Sequence, residues 1–300
     1  MPSHQFVIAD VFSSTPFGGN QLAVFTDARG LSTRAMQALA REINFAESTF
    51  VLPPEDPRHA IRLRIFTPMA EVPFAGHPNV GSAVVLASLD RIAAGVERAE
   101  VVFGEGVGPV GIQVERRRDG TYARLIREAP VERPASPPDP AAAAAALSLP
   151  REAIRSAWSA SVGLDFAFIQ VADRATVDRA ALNFDAWSEH WANGWTSKLF
   201  FFAGDTAPGS RIYARMFAPA FGVWEDAATG SAAAAFAGSL AEEQRAPGKF
   251  EWTIDQGVAM GRPSLLEAAA TRHPDGRVTV TVGGYAVVVG NGTLSVPDGY

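Results

Sequence analysis

Cysteine is absent from this chain of 300 residues. Its absence excludes disulfides, thiolate metal sites, iron–sulfur clusters and every thiol-based reaction, including racemisation by a pair of cysteines. Histidine is scarce, and its five residues stand apart from one another in the sequence. Because a metal site needs several ligands close together, we predict that the chain binds no metal.

Long hydrophobic runs are missing as well. The richest stretch, Ala232 to Leu240, is short and consists largely of small residues, whereas a membrane-spanning helix needs about 20 apolar residues. The N-terminal residues lack the basic and apolar regions of a signal peptide. We therefore predict a cytoplasmic protein with no membrane partner, in which Asn291-Gly292-Thr293 forms a turn.

Charged residues are sparse, at 19%, while hydrophobic residues make up 47%. This composition supports a packed core and argues against a disordered chain. The 26 basic and 32 acidic residues give a net charge of −6. Since a nucleic-acid interface needs a basic face to neutralise phosphates, we expect no nucleic-acid partner.

The order of predicted elements in the first half recurs in the second half. At about 150 residues per domain, the length predicts two domains or one large one. Three short segments recur in order, about 150 residues apart: Phe50-Val51-Leu52 with Phe200-Phe201-Phe202, Phe66-Thr67-Pro68 with Phe217-Ala218-Pro219, and His77 to Ala83 with Asp226 to Ala232. This duplication predicts two similar lobes whose helix entries can face one shared cleft.

Sequence patterns predict three helices that matter for the argument. One runs from Thr33 to Ile43 with Ser32 as its N-cap, one from about Pro78 to Leu89, and one from about Gly230 to Glu242. The second and third are apolar on all sides, which is typical of buried helices.

Small residues surround the starts of the two apolar helices. Gly76 and Gly81 lie at the first, and Gly230 and Ser231 at the second. The first amides of a helix lack partners within the helix and carry a partial positive charge, so they favour an anion such as a carboxylate. The alternative is structural, because small residues also let a helix pack closely within its lobe.

Three ionisable residues are candidates for proton transfer. His77 lies at the first helix start, and Asp226 occupies the matching position of the repeat. Glu47 lies between a helix and an apolar strand, where partial desolvation would suit general acid–base catalysis. Structural roles are the alternatives: a surface or core histidine, or a glutamate that caps a helix or forms a salt bridge.

Other motifs do not predict a function. Gly106-x-Gly108-x-x-Gly111 matches a dinucleotide-binding fingerprint, but a strand pattern follows it in place of the required helix. Ser231, His77 and Asp226 could be written as a hydrolase triad, but the serine lacks the surroundings of a nucleophile elbow.

Motifs spread over nearly the whole chain resemble the PhzF-like (phenazine biosynthesis) family. They are Asp10-x-Phe12 with Gly19-Asn20, Phe45 to Phe50, Phe66-Thr67-Pro68 with Glu71 to Pro78, Glu225 to Ala232, and Gln256-Gly257 with Met260 to Ser264. The resemblance implies an α+β, diaminopimelate-epimerase-like fold. In this fold each of two similar lobes wraps a curved, mostly antiparallel sheet or barrel around a central helix, and the active site lies in the cleft between them.

The resemblance also implies that the last strand returns to the first lobe and that the protein assembles. We expect residues 1–118 plus 285–300 to form the N-terminal lobe and residues 122–283 the C-terminal lobe, with a last strand near Tyr285 to Val289 returning to the first. A homodimer is implied too. The chain departs from the family at Ala227, where proline is usual, and this change removes no functional group.

The activity implied by the resemblance is isomerisation without a cofactor or a metal. The family's namesake moves a double bond in a hydroxylated dihydroanthranilate by shifting a proton, and its proton-carrying glutamate matches Glu47. The predicted catalytic residues are Glu47, His77 and Asp226. The predicted substrate-binding residues are Asn20, Gly76, Thr229, Gly230 and Ser231, of which the two glycines match the family's carboxylate cradle.

We therefore predict an isomerase that moves a proton between carbons of a small carboxylate-bearing substrate. A hydratase, a lyase or an epimerase with the same acid–base residues is the first alternative. A non-catalytic binder that kept the cleft and lost turnover is the second. The sequence does not name the substrate.

Overall fold

The computed structural model describes residues 2–297 and 299–300, which form sixteen β-strands and six α-helices. The strands are β1 (Ser3–Val11), β2 (Asn20–Phe25), β3 (Glu47–Leu52), β4 (Ile61–Phe66), β5 (Glu71–Val72), β6 (Arg98–Glu105), β7 (Gly108–Arg117), β8 (Gly120–Glu128), β9 (Ile154–Ser161), β10 (Asp165–Val171), β11 (Leu199–Ala203), β12 (Arg211–Ala218), β13 (Val223–Asp226), β14 (Gly248–Gln256), β15 (Ser264–Arg272) and β16 (Val278–Ser295). The helices are α1 (Thr33–Ile43), α2 (Gly76–Ser88), α3 (Pro140–Ala146), α4 (Arg174–Arg179), α5 (Phe184–His190) and α6 (Gly230–Glu242). None of the helices in this part of the chain is long and apolar enough to cross a membrane.

The chain divides into two compact units, Met1–Arg127 with Gly283–Tyr300 and Glu128–Val282. Strand β8 belongs almost wholly to the first unit because it pairs with β7, from Gly120 opposite Arg117 to Ile126 opposite Gly111. The predicted boundary at residues 118–122 is therefore too early, since the sequence reasoning did not recognise β8 as a strand.

The first unit is built on a closed barrel of eight strands. Their order is β1, β2, β3, β4, β6, β7, β8 and β16, with β16 pairing back onto β1. Most neighbouring strands in it are antiparallel, but β2 with β3 and β4 with β6 are parallel. The barrel closes where Val11 pairs with Ala286 and Ser3 with Ser295.

Helix α2 is the central helix of the first unit. Its residues from Gly76 to Ala87 are all buried, and it contacts β1, β2, β3 and β7. A methyl group on Gly81 would lie 2.5 Å from Val11 Cγ2 and 2.6 Å from Leu22 Cδ2. Gly81 therefore lets the helix lie against the barrel wall, which is the structural role that sequence reasoning held open.

Helix α1 packs on the other side of the first unit's strands. It spans the predicted residues, and the Ser32 side chain accepts a hydrogen bond from Ala35 N as the predicted N-cap. Phe25 stacks on Phe50 at 4.6 Å between ring centroids, and Phe66 meets Phe50 edge-on at 5.3 Å. These rings form the apolar layer on which α1 rests.

The second unit has a sheet in the order β15, β14, β12, β11, β10 and β9. Helix α6 is its central helix, buried at Gly230 and from Ala232 to Ala241, and it contacts β9, β10, β14 and β15. Helices α3, α4 and α5 cover a second apolar core that includes Trp187 and Phe201. Each unit thus has the predicted architecture of a curved sheet around a central helix.

The starts of the two central helices correct the predicted repeat. Helix α2 begins at Gly76 and not at Pro78, and proline is tolerated there because the first turn of a helix needs no donor. Gly81 consequently lies within α2, whereas Gly230 starts α6. Aligned by their starts, the helices match Gly76 with Gly230, so the predicted equivalence of His77 and Asp226 is wrong.

Candidate active site

Glu47 is the first residue of β3, directly after the loop that leaves α1. That loop follows Asn44, which ends α1 in the left-handed conformation with φ of 56°. Strand β3 then runs parallel to β2, with Glu47 beside Leu22. The Glu47 side chain is 19% exposed, so the carboxylate is largely shielded from water and still accessible.

His77 lies next to Glu47, although 30 residues separate them in the sequence. The second residue of α2 places the imidazole Nδ1 3.0 Å from Glu47 Oε2, and the histidine side chain is 4% exposed. Asn20, the first residue of β2, lies with its Nδ2 3.4 Å from the same His77 nitrogen. The first unit therefore brings together three predicted site residues.

The contact between His77 and Glu47 has a chemical meaning. A nitrogen and a carboxylate oxygen attract one another at this distance when a proton lies on the nitrogen. His77 can therefore orient one oxygen of Glu47 and can share a proton with it. An acid and a base held in contact and mostly out of water are suited to proton transfer.

The start of α2 adds a positive end beside this pair. Residue Ala75 occupies the N-cap position and, within the described residues, no side chain caps the helix there. Alanine has no side-chain acceptor, so the N-cap residue itself does not satisfy the first amides of α2. Asn79 instead uses its Nδ2 to donate to Ala75 O, at 2.8 Å.

In the second unit, Asp226 ends β13 and is buried. It pairs with Met216 of β12. Thr229 Oγ1 donates to Asp226 Oδ2 at 2.6 Å. Fully buried Gln256 donates through Nε2 to Asp226 O at 2.8 Å and to Thr229 Oγ1 at 2.9 Å, while its Oε1 accepts from Thr229 N at 3.1 Å.

This network fixes the direction of each hydrogen bond. Because Gln256 Nε2 can only donate, the Thr229 hydroxyl must use its own hydrogen for Asp226. Thr229 is also the N-cap residue of α6, and over residues 2–297 no side chain caps that helix. Threonine is a common N-cap residue, but here the Thr229 hydroxyl is hydrogen-bonded to the Asp226 carboxylate. The amides at Gly230 and half-buried Ser231 therefore have no side-chain cap from Thr229.

The structural role of Gln256 and Gly257 was not predicted from the sequence, where the two residues stand only as part of a motif. Gly257 has φ of 74°, and a methyl group there would lie 2.5 Å from Ala227 O. The pair therefore clamps the loop from Asp226 to Thr229. The only signal in the sequence is an amide followed by glycine at the end of a strand, which does not reveal its partner.

A buried ion pair holds the strand that carries Asp226. Arg215 Nε and Nη2 donate to the two carboxylate oxygens of Glu225, both at 2.8 Å. Arg215 Nη1 donates to the backbone oxygens of Val177 and Ala180. With its donors satisfied in this way, the guanidinium fixes β13 just before Asp226.

No group of three or more His, Asp or Glu side chains in residues 2–297 and 299–300 is arranged to hold a metal ion.

The phenazine biosynthesis-like protein family, PhzC-PhzF, matches residues 9–292 of this sequence. The chain belongs to this family. An uncharacterized isomerase of Mesorhizobium japonicum is 38% identical, over 99% of this chain and 100% of that protein. The trans-2,3-dihydro-3-hydroxyanthranilate isomerase of Pseudomonas fluorescens is 35% identical, over 97% of this chain and 99% of its own length.

A solved structure confirms the fold class. The phenazine biosynthesis protein of the PhzF family from Bacillus anthracis superposes with a TM-score of 0.85 at 21% identity, covering 99% of this chain and 100% of that one. Together with the relatives named above, the family match identifies an isomerase and leaves its reaction open.

Proposed function

We propose that this isomerase moves a proton between two carbons of a small carboxylate-bearing metabolite, with Glu47 as the general acid–base. The observation that carries the proposal is the contact between Glu47 Oε2 and His77 Nδ1 at 3.0 Å, with both side chains mostly buried. Glu47 accepts the proton from one carbon, the double bond shifts, and the Glu47 carboxylic acid gives a proton to another carbon. The step needs no oxidant, reductant or co-substrate.

The substrate carboxylate has a part in this chemistry. A carbon acid loses its proton more readily when the remaining charge can spread onto a conjugated carboxylate. Backbone amides at a helix start stabilise such charge without having to reorganise. The starts of α2 and α6, at Gly76 and Gly230, are the groups we propose for binding it, with Ser231 beside the second.

The remaining predicted residues are proposed to orient the substrate. Asn20 Nδ2 lies 3.4 Å from His77 Nδ1 and can donate to that nitrogen when its proton has moved to Glu47. Asp226 is held by Thr229 and Gln256 at a fixed angle, so it can accept a hydrogen bond from a polar substituent of the substrate. His77 and Asp226 would relay or orient, while Glu47 carries the proton.

Solvent deuterium incorporation tests the proposal. The first compound to try is trans-2,3-dihydro-3-hydroxyanthranilate, because the relative in Pseudomonas fluorescens is named for its isomerisation. The enzyme is incubated with it in D2O and the product is followed by NMR. We expect a shifted double bond with deuterium at the carbon that gains the proton, because the acidic proton of partly exposed Glu47 exchanges with the solvent.

The isotope pattern and the product mass separate the alternatives. Loss or gain of water would indicate a lyase or hydratase, and an inverted centre with no double-bond shift would indicate an epimerase. A carboxylate that binds without isotope exchange or conversion, across a panel of cyclic unsaturated acids, would support a non-catalytic binder.

We also propose that the protein is a cytoplasmic homodimer, as the family resemblance implies. Analytical ultracentrifugation at micromolar concentration tests the assembly, and a monomer of 31.8 kDa would contradict it.

A further inference from the structure

Three polar side chains of the first unit, one buried and two half-buried, have polar atoms that are shielded from water next to the start of α2. They are Asn79 on α2, Glu105 at the end of β6, and Arg127 on β8. Within the described chain, both carboxylate oxygens of Glu105, Asn79 Oδ1 and Arg127 Nη1 are buried and have no hydrogen-bond partner. Buried polar groups without partners are rare in folded proteins, so each needs an explanation.

An ionised Glu105 does not account for this arrangement. A carboxylate only accepts hydrogen bonds, and the Asn79 oxygen does so as well. The Asn79 nitrogen donates one of its two hydrogens to Ala75 O at 2.8 Å, and within the described residues the other hydrogen makes no hydrogen bond to either Glu105 oxygen. Arg127 does not form an ion pair with Glu105 within the described residues; its guanidinium lies over the Phe74 ring, 4.7 Å from the centroid. A buried charge with no hydrogen bond is among the costliest features a fold can contain.

We propose that Glu105 is a neutral carboxylic acid in the working protein, that its hydroxyl donates to Asn79 Oδ1, and that this bond positions the first turn of α2. One proton then satisfies two acceptors at once. Glu105 and Asn79 would act as positioning residues for Gly76 and His77, a consequence for catalysis that rests on the proposed function.

Packing and electrostatics agree with the neutral acid. Burial raises the pKa of Glu105 to about 8, with Asn79 and Arg127 opposing the shift. The turn after Glu105 touches the segment before α2, because Val107 N donates to Pro73 O at 3.3 Å and a methyl group on Gly106 would lie 3.0 Å from Pro73 Cα. A change at Glu105 is therefore transmitted directly to the chain that leads into Gly76.

Other charged groups face the same region. A cavity of about 530 Å³ is lined by Glu105 together with charged or titratable residues of the segment before β4, of β4 itself and of β5; these are Glu55, Asp56, His59, Arg62, Arg64 and Glu71. Most are paired, Arg62 with Glu55, Arg64 with Glu71, and Asp56 with Arg58. His59 is the histidine of this lining, and a variant at this position therefore serves as a control.

Infrared spectroscopy tests the protonation state without any substrate. The full-length protein is titrated from about pH 5 to 10, and the carbonyl stretch of protonated carboxylic acids is followed in the wild type, Glu105→Gln and two controls. The controls are Glu100→Gln, an exposed glutamate on the same strand, and His59→Gln. We expect a band at pH 6 that disappears around pH 8, that Glu105→Gln lacks, and that both controls retain.

Amide hydrogen exchange tests the positioning role. After correction for the intrinsic effect of pH, exchange in residues 76–80 should rise about fivefold in the wild type between pH 6.5 and 9.5, as expected for the loss of one net hydrogen bond. The neutral amide of Glu105→Gln can donate to Asn79 at any pH, so this variant should show no alkaline rise. Such rescue by a non-titrating donor is not expected of a merely structural residue.

Each result supports or overturns a defined part of the proposal. Absence of a pH 6 band that depends on Glu105 would show an ionised carboxylate and overturn it. An alkaline rise in exchange that persists in Glu105→Gln would overturn the positioning role. If Glu105→Gln does not fold, Asn79→Ala replaces it: the band must then move to higher frequency as the hydroxyl loses its acceptor, and an unmoved band would exclude Asn79 as the partner. None of these measurements depends on the isomerase activity.

Discussion

At the scale of single residues, the central feature is the pair formed by Glu47 and His77. The carboxylate comes from the first position of a strand and the imidazole from the first turn of a helix, so each is held by backbone that is already ordered. The histidine side chain is almost completely buried, which limits its rotation and keeps the contact at 3.0 Å. Small changes at these two positions are therefore expected to affect chemistry before they affect folding.

Glu47→Gln should remove most of the turnover while leaving ligand binding largely intact. Glutamine has nearly the same size but cannot accept and return a proton, and general acid–base catalysis contributes roughly 10²–10⁴-fold to rate. The proposed carboxylate-binding amides lie in other segments and are unchanged. Turnover, ligand affinity and melting temperature are measured for this variant.

The matched control is Glu71→Gln. Glu71 accepts two hydrogen bonds from Arg64, at 2.7 and 2.6 Å, on the surface of the first unit. Its loss should change turnover little, and exposed ion pairs contribute only about 0–1 kcal/mol to stability. Wild-type turnover in a folded Glu47→Gln variant would remove Glu47 from the mechanism and leave His77 or Asp226 as the proton carrier.

Thr229→Val should destabilise the second unit by about 1.5–3 kcal/mol. Valine keeps the shape of threonine but removes the hydroxyl that donates to Asp226 at 2.6 Å, and a hydrogen bond to a charged group contributes about that much. Gln256 Nε2 would lose an acceptor as well. Urea unfolding measures the change, and Thr229→Ser, which retains the hydroxyl, should recover most of the loss. A valine variant as stable as the wild type would show that the hydroxyl contributes nothing, and a loss in serine as large as in valine would show that the methyl group contributes as much as the hydroxyl.

At the scale of elements, the loop between β13 and α6 depends on close backbone packing at Gly257. Any side chain there would meet Ala227 O at 2.5 Å and Arg262 O at 2.4 Å, and the positive φ adds further strain. Backbone oxygens cannot move aside as a flexible side chain can. Any substitution of Gly257 should therefore displace the loop that carries Asp226.

Gly257→Ala and Gly261→Ala form a matched pair that separates the cost of the steric clash from the cost of backbone strain. Both glycines have a positive φ, of 74° and 71°, but a methyl group on Gly261 has nothing within 4 Å. Gly261→Ala should cost about 1 kcal/mol from backbone strain alone. Gly257→Ala should cost at least 2 kcal/mol more in denaturant unfolding, because the clash adds to the strain. Similar costs for the two variants would mean that the loop relaxes freely.

Local signals predicted the helices well and the strands less completely. The helix α1 has a serine N-cap and periodic apolar residues, and α6 is a continuous apolar segment, so both were predicted correctly from local sequence. Strand β8 was missed, although Asp119-Gly120 next to its start is a common hairpin signal. The predicted start of α2 at Pro78 is wrong by two residues, because proline is common in the first turn of a helix without being its first residue.

The residues of the proposed site were chosen from the sequence, but only part of their geometry could be predicted from it. The motif residues Glu47, His77 and Asp226 stand out in the sequence. The contact of Glu47 with His77, however, depends on the position of α2 within the barrel, which local sequence patterns do not specify. Gln256 could not be assigned a partner for the same reason, since its hydrogen bonds reach a loop 27 to 30 residues away.

At the scale of the whole molecule, Glu105 should make stability depend on pH. Its folded pKa is raised to about 8 from the ordinary 4.5, so its stabilising contribution is complete below pH 4.5 and is lost as the pH rises towards 8. The unfolding free energy should therefore fall by up to about 1.4 kcal/mol per pH unit from this group, and level off above pH 8. Urea unfolding at several pH values measures this slope.

The Glu105→Gln variant isolates that contribution from the other titrating groups. Several aspartates have the opposite effect, for example Asp27, whose pKa is lowered to about 2 chiefly by its hydrogen bond with Arg29. Their stabilisation is present above the ordinary pKa near 4 and is lost as the pH falls. The difference between wild type and Glu105→Gln should slope downwards between pH 5 and 8, and a flat difference would contradict the neutral acid.

The pairing of β1 with β16 has a consequence for how the chain is made. Residues 3–11 leave the ribosome early, but their partners at 286–295 are synthesised some 280 residues later. At about 5–20 residues per second, β1 waits on the order of 15 to 60 s for that partner. Throughout this interval the first barrel has an open edge that can pair with another nascent chain. The segment from Glu128 to Val282 is continuous, so the second unit can complete its own fold while the first still waits to close.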